Sequence, residues 1–150
     1  MNDDLHPTLQ QFLEEQSTLA LATINDQGEP EVAPLFYVSD ERHNLYWFSN
    51  TTVRHSRNLT ARPQVAATIY PIVWQWSDIV GVQIEGRAEA ITDERIREQI
   101  MTIYLRKFLL PASFDAAISA STLYVLRPHW IRWIDNSVEF GFKSEFTLEG

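Results

Sequence analysis

No cysteine occurs among the 150 residues, which excludes disulfides, thiolate metal sites and a cysteine nucleophile. Glycine is scarce, at 5 residues, and neither a Walker loop nor a dinucleotide-binding loop can be read from it. A Gly-x-Ser-x-Gly nucleophile elbow is missing too. Basic side chains are outnumbered, 12 Lys and Arg against 20 Asp and Glu, and the formal charge of −8 argues against nucleic acid or an anionic membrane as partner. No apolar run approaches the length of a membrane span, and Met1-Asn2-Asp3-Asp4 lacks the basic flank of a signal peptide. A cytoplasmic protein is therefore expected. The four histidines, His6, His43, His55 and His129, share no i, i+4 spacing, and none sits in a recognised ligand pattern with a carboxylate, so no metal site is expected. Acidic pairs such as Glu14-Glu15 and Asp40-Glu41 read as solvated surface. Arg127, His129 and Arg132 cluster in one stretch, but strand parity places His129 and Arg132 on opposite faces.

Aromatic residues are abundant: 5 Trp, 5 Tyr and 8 Phe. That exceeds what a small core needs and points to an interface or a ligand pocket. The length fits one domain, residues 1–150, with a substantial core. Leu5 to Gln16 reads as a helix, with Leu9, Phe12 and Leu13 at i, i+3, i+4 and Pro7 in its first turn. Thr18 to Ile24 and Val32 to Ser39 read as a hairpin around the Asn25-Asp26-Gln27-Gly28 turn. Leu45 to Ser49 and Val65 to Tyr70 are further strands. Ile79 to Ile91 is the clearest, with apolar even positions and Gln83, Glu85, Arg87 and Glu89 on the other face. Gly86 interrupts its inner row and suggests a bulge. A helix capped by Thr92 is expected next, burying Ile96, Ile100, Ile103, Tyr104 and Phe108. A helical turn at Ser113 to Ala120, a strand over Thr122 to Ile134 and an aromatic tail complete the chain. The order predicts a mainly β (α+β) fold, a small antiparallel barrel with peripheral helices.

One segment stands out. Tyr46-Trp47-Phe48-Ser49-Asn50-Thr51-Thr52-Val53-Arg54-His55 runs from an aromatic strand through polar capping residues into a helix. Arg54 and His55 occupy the first turn, where the positive end of the helix dipole disfavours a cation by a few tenths to about 1 kcal/mol. Either an anion such as phosphate sits among the free N–H groups and these side chains, or the two point into water and screening removes the penalty. Downstream, Pro71 to Asp78 forms a loop with Trp74 and Trp76, which calls for a cofactor, a partner subunit or the loop's own base to cover them.

These residues resemble the pyridoxamine 5′-phosphate oxidase-like superfamily, the FMN-binding split barrels. The likeness covers about residues 8–135. It rests on Thr18-Leu19-Ala20-Leu21-Ala22-Thr23, Gly28-Glu29-Pro30, Val32-Ala33-Pro34-Leu35-Phe36-Tyr37-Val38, Phe48-Ser49 with Arg54-His55, Asn58-Leu59, Arg62-Pro63-Gln64-Val65 and Val82-Gln83-Ile84-Glu85-Gly86-Arg87-Ala88. The stretch from Tyr124 to Lys143 is similar to a small branch apart from the true oxidases. The resemblance implies a six-stranded antiparallel split β-barrel that forms a homodimer with FMN in clefts at the subunit interface. Ser49, Arg54 and His55, after Phe48, would hold the FMN phosphate. Backbone from Ala33 through Pro34 and Leu35 to Phe36 would run beside the flavin ring, with Gln83 and Trp76 approaching it. Deazaflavin and heme rank behind FMN. Two departures are visible: His55 stands where the family usually has Lys, and the tail, residues 136–150, lacks the Arg-Leu-His-Asp-Arg-type segment of the true oxidases. Oxidation of pyridoxamine phosphate is therefore not expected. The expectation is an FMN oxidoreductase acting on a small-molecule substrate. The alternatives are a non-catalytic flavin or heme-type carrier, or a degenerate barrel acting through its dimer surface.

Overall fold

The computed structural model describes residues 5–148; Met1–Asp4 and the last two positions of the tail lie outside them. The chain opens on α1 (Leu5–Glu15), whose Leu9, Phe12 and Leu13 are buried in the main core. A helix this short is held by that stripe rather than by propensity, at about 1.5–3 kcal/mol per fully buried side chain. The hairpin of β1 (Thr18–Ile24) and β2 (Pro30–Phe36) follows. In its turn Gly28 takes a φ of +77°, and the Asn25 side chain accepts from the amides of Gln27 and Glu29.

The strand expected over Val32 to Ser39 is divided at Tyr37. Phe36 still pairs with Thr18, whereas Val38 and Ser39 form β3 and pair with β4 (Leu45–Ser49). Tyr37 is the pivot: its ring is buried and its hydroxyl donates to the Leu13 carbonyl at 2.6 Å, fastening α1 beneath the change of neighbours. After β4 come α2 (Arg54–Ala61), β5 (Gln64–Ile69), a 3₁₀ turn at Trp76–Asp78, and β6 (Val80–Ala90). Then α3 (Glu94–Lys107), α4 (Asp115–Ala120), β7 (Thr122–Asp135) and β8 (Lys143–Thr147) complete the fold.

All pairings are antiparallel, in the order β2-β1-β5-β6-β7-β4-β3. The sheet forks at β7. Its first half, Thr122 to Leu126, pairs with β4, and its second half, Trp130 to Ile134, pairs with β8. The result is the mainly β, antiparallel split barrel with peripheral helices that the sequence predicts. Its described strands number eight rather than six, because Tyr37 divides one and the tail supplies β8, whose Phe146 is buried in the main core. No described helix is long and apolar enough to cross a membrane.

A second core lies on the other side of β4 and β7. There Ile100, Tyr104 and Phe108 pack on Val38, Tyr46, Leu123 and Val125. Asp93, not Thr92, caps α3, its carboxylate accepting from the amides of Arg95 and Ile96. That choice starts the helix one residue later and places a charge at the positive dipole end. Ile103, expected in the buried face, is 43% exposed.

Between β6 and β7 the register shifts. Glu85 pairs with Trp130 and Gly86 with Pro128, so His129 is the extra residue of a bulge. Gly86 is there because nothing larger fits: a Cβ would lie 2.2 Å from the Arg127 carbonyl oxygen. The bulge also inverts the parity of β7. Tyr124 and Leu126 face the main core before it, Ile131 and Trp133 after it. His129 and Arg132, expected on opposite faces, therefore both point away from that core.

Candidate functional site

Ser49 closes β4 opposite Thr122. The polar run behind it was expected to cap the next helix, but Asn50 folds on itself instead, accepting from the Thr52 amide at 2.9 Å and the Thr52 hydroxyl at 2.8 Å. This Asx turn satisfies the side chain locally. The cap position falls to Val53, which offers no side-chain acceptor. The first-turn N–H groups of α2 thus lack a side-chain cap, in the setting where an anion is favoured.

Arg54 and His55 flank that turn. His55 Nε2 lies 2.9 Å from Ser49 Oγ, and burial of the imidazole lowers its pKa. It therefore serves near neutrality as an uncharged hydrogen-bonding group. Arg54 is held by Glu31 of β2 at 3.1 Å, although its side chain is 78% exposed. Glu31 also accepts from the Asn58 amide at 2.7 Å, and Asn58 donates to Thr23 of β1 at 3.0 Å. Asn58 thus ties α2 to the first hairpin. Its hydrogen bond, with that from Asn25 and the charges of Arg54 and Arg57, outweighs desolvation and lowers the Glu31 pKa, so the carboxylate stays ionised.

The turn opens into a cleft of about 450 Å³ bordered by Thr23, Glu31, Val32, Ala33 and the residues from Thr52 to His55. Val32 also borders a second hollow of about 540 Å³ over the outward faces of β1, β5 and β6. Ala20, Ala22 and Ala66 line this second hollow, making a low, apolar floor suited to a flat ring system. Gln83, Trp130 and Arg132 edge it, and Arg132 donates to the Gln83 side chain at 3.4 Å. Trp130 and Arg132 reach this edge only because the bulge at His129 turns them outward.

Of the residues singled out in the sequence, Ser49, Arg54, His55 and Ala33 gather at the α2 end, and Gln83 stands on the adjoining hollow. Others are placed elsewhere within the single chain. Phe36 stacks on Phe108 with centroids 4.5 Å apart, and Phe48 forms a T-shaped pair with Tyr104, centroids 5.1 Å apart. Pro34 and Leu35 lie further along β2, outside the residues lining either hollow. Trp76 meets Phe140 of the tail at 5.5 Å, and Trp74 remains 93% exposed. Sequence reasoning missed Glu31 and Trp130, took Asn58 only as part of the family likeness, and set Arg132 aside on strand parity. The signal for Glu31 was a carboxylate among apolar positions of a strand; for Trp130 and Arg132 only the bulge could have revealed it.

Known proteins resemble this chain at three levels: family profile, curated sequence and solved structure. The sequence profile described as pyridoxamine 5′-phosphate oxidase matches residues 5–135. Among curated proteins, UPF0306 protein plu4501 of Photorhabdus laumondii is 29% identical over 140 residues, 90% of each chain. The heme oxygenase HutZ of Vibrio cholerae is 37% identical over 62 residues, 41% of this chain and 35% of that protein. The matched stretch thus spans about a third of HutZ. Among solved structures, Campylobacter jejuni ChuZ superposes with a TM-score of 0.82 at 15% identity, over 98% of this chain and 61% of that one.

Proposed function

This chain belongs to the pyridoxamine 5′-phosphate oxidase family, in a branch apart from the true oxidases, and we propose that it is a homodimeric FMN protein that oxidises or reduces a small molecule. One observation carries the reading. The uncapped first turn of α2, flanked by Arg54 and the Ser49–His55 pair, opens onto a cleft that shares Val32 with a hollow floored by alanine.

The residues present fit FMN. Arg54 and the first-turn N–H groups would receive the phosphate, with His55 oriented by Ser49. The floor of Ala20, Ala22 and Ala66 would lie under the ring, and Val32 would shield it from water. FMN, when bound, supplies hydride or single-electron transfer. Gln83, held by Arg132, would orient a polar edge of ring or substrate by hydrogen bonding. Glu31, paired with Arg54, would compete with the phosphate for the guanidinium. Support for the homodimer comes from the exposed Ile72, Trp74, Trp76 and Phe140, an apolar surface that a second copy would cover.

The second reading, a non-catalytic carrier of flavin or of a heme-type ligand, draws on the local similarity to a heme oxygenase. Deazaflavin remains an alternative ring for the same floor. The deciding experiment is the absorption spectrum of the purified protein, alone and after adding FMN, deazaflavin or heme. Flavin bands that bleach with a nicotinamide donor support the enzyme. Bound flavin that no donor reduces, or a Soret band, supports the carrier, and a colourless protein that ignores FMN overturns the proposal. Arg54→Ala is expected to weaken FMN binding by about 10- to 100-fold, the worth of a charge-assisted contact.

A further inference from the structure

A third hollow, of about 510 Å³, lies beside the C-terminal half of α2, at the other end of that helix from Arg54. On one side it is walled by Leu59 and Pro63, and on the other by Arg87, Glu89, Arg127 and His129. The charges here are arranged unfavourably. Arg87 of β6 and Arg127 of β7 are directly opposed in the ladder, on one face of the sheet, and like charges in that relation repel. Glu89 relieves only one of them, through its ion pair with Arg127. Among the described residues Arg87 has no carboxylate within ion-pair distance, and its neighbour on the other strand is the neutral Gln64. The bulge then adds the His129 imidazole to the same wall.

Two arginines and a histidine gathered around one carboxylate are unusual in a chain of net charge −8. Facing them is an apolar surface inside a concave site, the combination that small-molecule sites use: apolar walls with a few convergent polar groups. An oxyanion between Arg87 and Arg127 would turn their repulsion into a shared attraction, and guanidinium forks suit carboxylate and phosphate alike. We propose that this hollow is a second ligand site, which takes a small molecule bearing a carboxylate or phosphate on an apolar body. It is separate from the flavin cleft and does not depend on the flavin reading.

The test follows the His129 ring resonance by proton NMR while the whole protein is titrated with benzoate, phenyl phosphate or the uncharged benzyl alcohol. The resonance is assigned by its loss in His129→Gln. Benzoate, phenyl phosphate or both should move it saturably, and the two arms tell which oxyanion is preferred. Benzyl alcohol should not move it. Arg87→Gln should weaken the response at least 10-fold with a urea midpoint no lower than that of the native protein, and Arg54→Ala should leave the response intact. The proposal is overturned if neither anion moves the resonance, if benzyl alcohol moves it equally, if Arg87→Gln binds as tightly as the native protein, or if Arg54→Ala abolishes the response.

Discussion

Replacing Gly86 with alanine tests the joint between β6 and β7 most severely. The added Cβ would lie 2.2 Å from the Arg127 carbonyl oxygen and 2.9 Å from both the Arg127 carbonyl carbon and the Pro128 Cα. All three are backbone atoms, so no side chain can swing aside. An ordinary carbon–oxygen contact is about 3.3 Å or more, and relief requires the strands to part by roughly 1 Å. That opening breaks the ladder on each side of the bulge. Two or three lost hydrogen bonds at about 1 kcal/mol each, with loosened packing of Ile84 and Ile131 beneath, give a loss of about 3–5 kcal/mol. A domain of this size has about 5–15 kcal/mol in all. With a urea dependence near 2 kcal/mol per molar, the unfolding midpoint should fall by about 2 M. Gly28→Ala is the control. Gly28 has a φ of +77° but nothing within 4 Å of the added atom, so only the left-handed backbone is penalised, at about 1–2 kcal/mol. A Gly86→Ala loss below about 1 kcal/mol, or no greater than that of Gly28→Ala, would refute the close approach as the reason for glycine.

Three further outcomes are expected. Glu31→Gln removes the carboxylate that shares Arg54, so FMN affinity measured by fluorescence quenching should rise severalfold; a fall would show that Glu31 is needed to position Arg54. Asp93→Ala deletes the cap of α3 and should cost about 1 kcal/mol, a drop of roughly 2–4 °C in Tm by calorimetry. Acid should also destabilise the fold. His43 is held below its ordinary pKa by burial and by His6, whose Nδ1 lies 3.0 Å from His43 Nε2, and Asp40 only partly opposes this; burial likewise lowers His55. The folded form therefore binds these protons less readily than the unfolded chain. Their contribution is complete above about pH 6.5 and is lost as pH falls through that region, at most about 1.4 kcal/mol per pH unit for each group. Urea midpoints between about pH 7.5 and 5.5 measure the slope, and His43→Asn, an exchange suited to the positive φ of 65° there, should flatten it. An unchanged slope would remove His43 from the account.

Much of the fold could be read from local pattern. Thr18–Ile24 and Leu45–Ser49 begin and end where their apolar runs do, and the alternation of Val82, Ile84 and Ala88 against Gln83, Glu85 and Arg87 marks β6. The basic first turn of α2 was equally plain, because helix direction and charge are both local. What escaped depends on distant neighbours. Asn50 has the chemistry of a cap, and only the turn geometry shows that its oxygen is already engaged. β8 has no strong alternation of its own and pairs with the second half of β7, which β4 leaves open on the edge away from β6. Glu31 gains its place at the site through Asn58, a partner 27 residues away. Strand parity failed at His129, since it assumes an uninterrupted pleat.

That interruption gives β7 something like two reading frames. Residues before 129 are spelled core on even numbers, and those after it core on odd numbers. A chain one residue shorter at this point would have to abandon one frame, either exposing Ile131 and Trp133 or losing Tyr124 and Leu126. Substitutions along the strand can be judged position by position, but an insertion or deletion is judged for the whole segment at once. The same holds when residues are carried over from relatives: a gap set on the wrong side of His129 exchanges every core position of the second half for a site position. The placing of Trp130 and Arg132 in any homologue is thus a question of frame before it is one of chemistry.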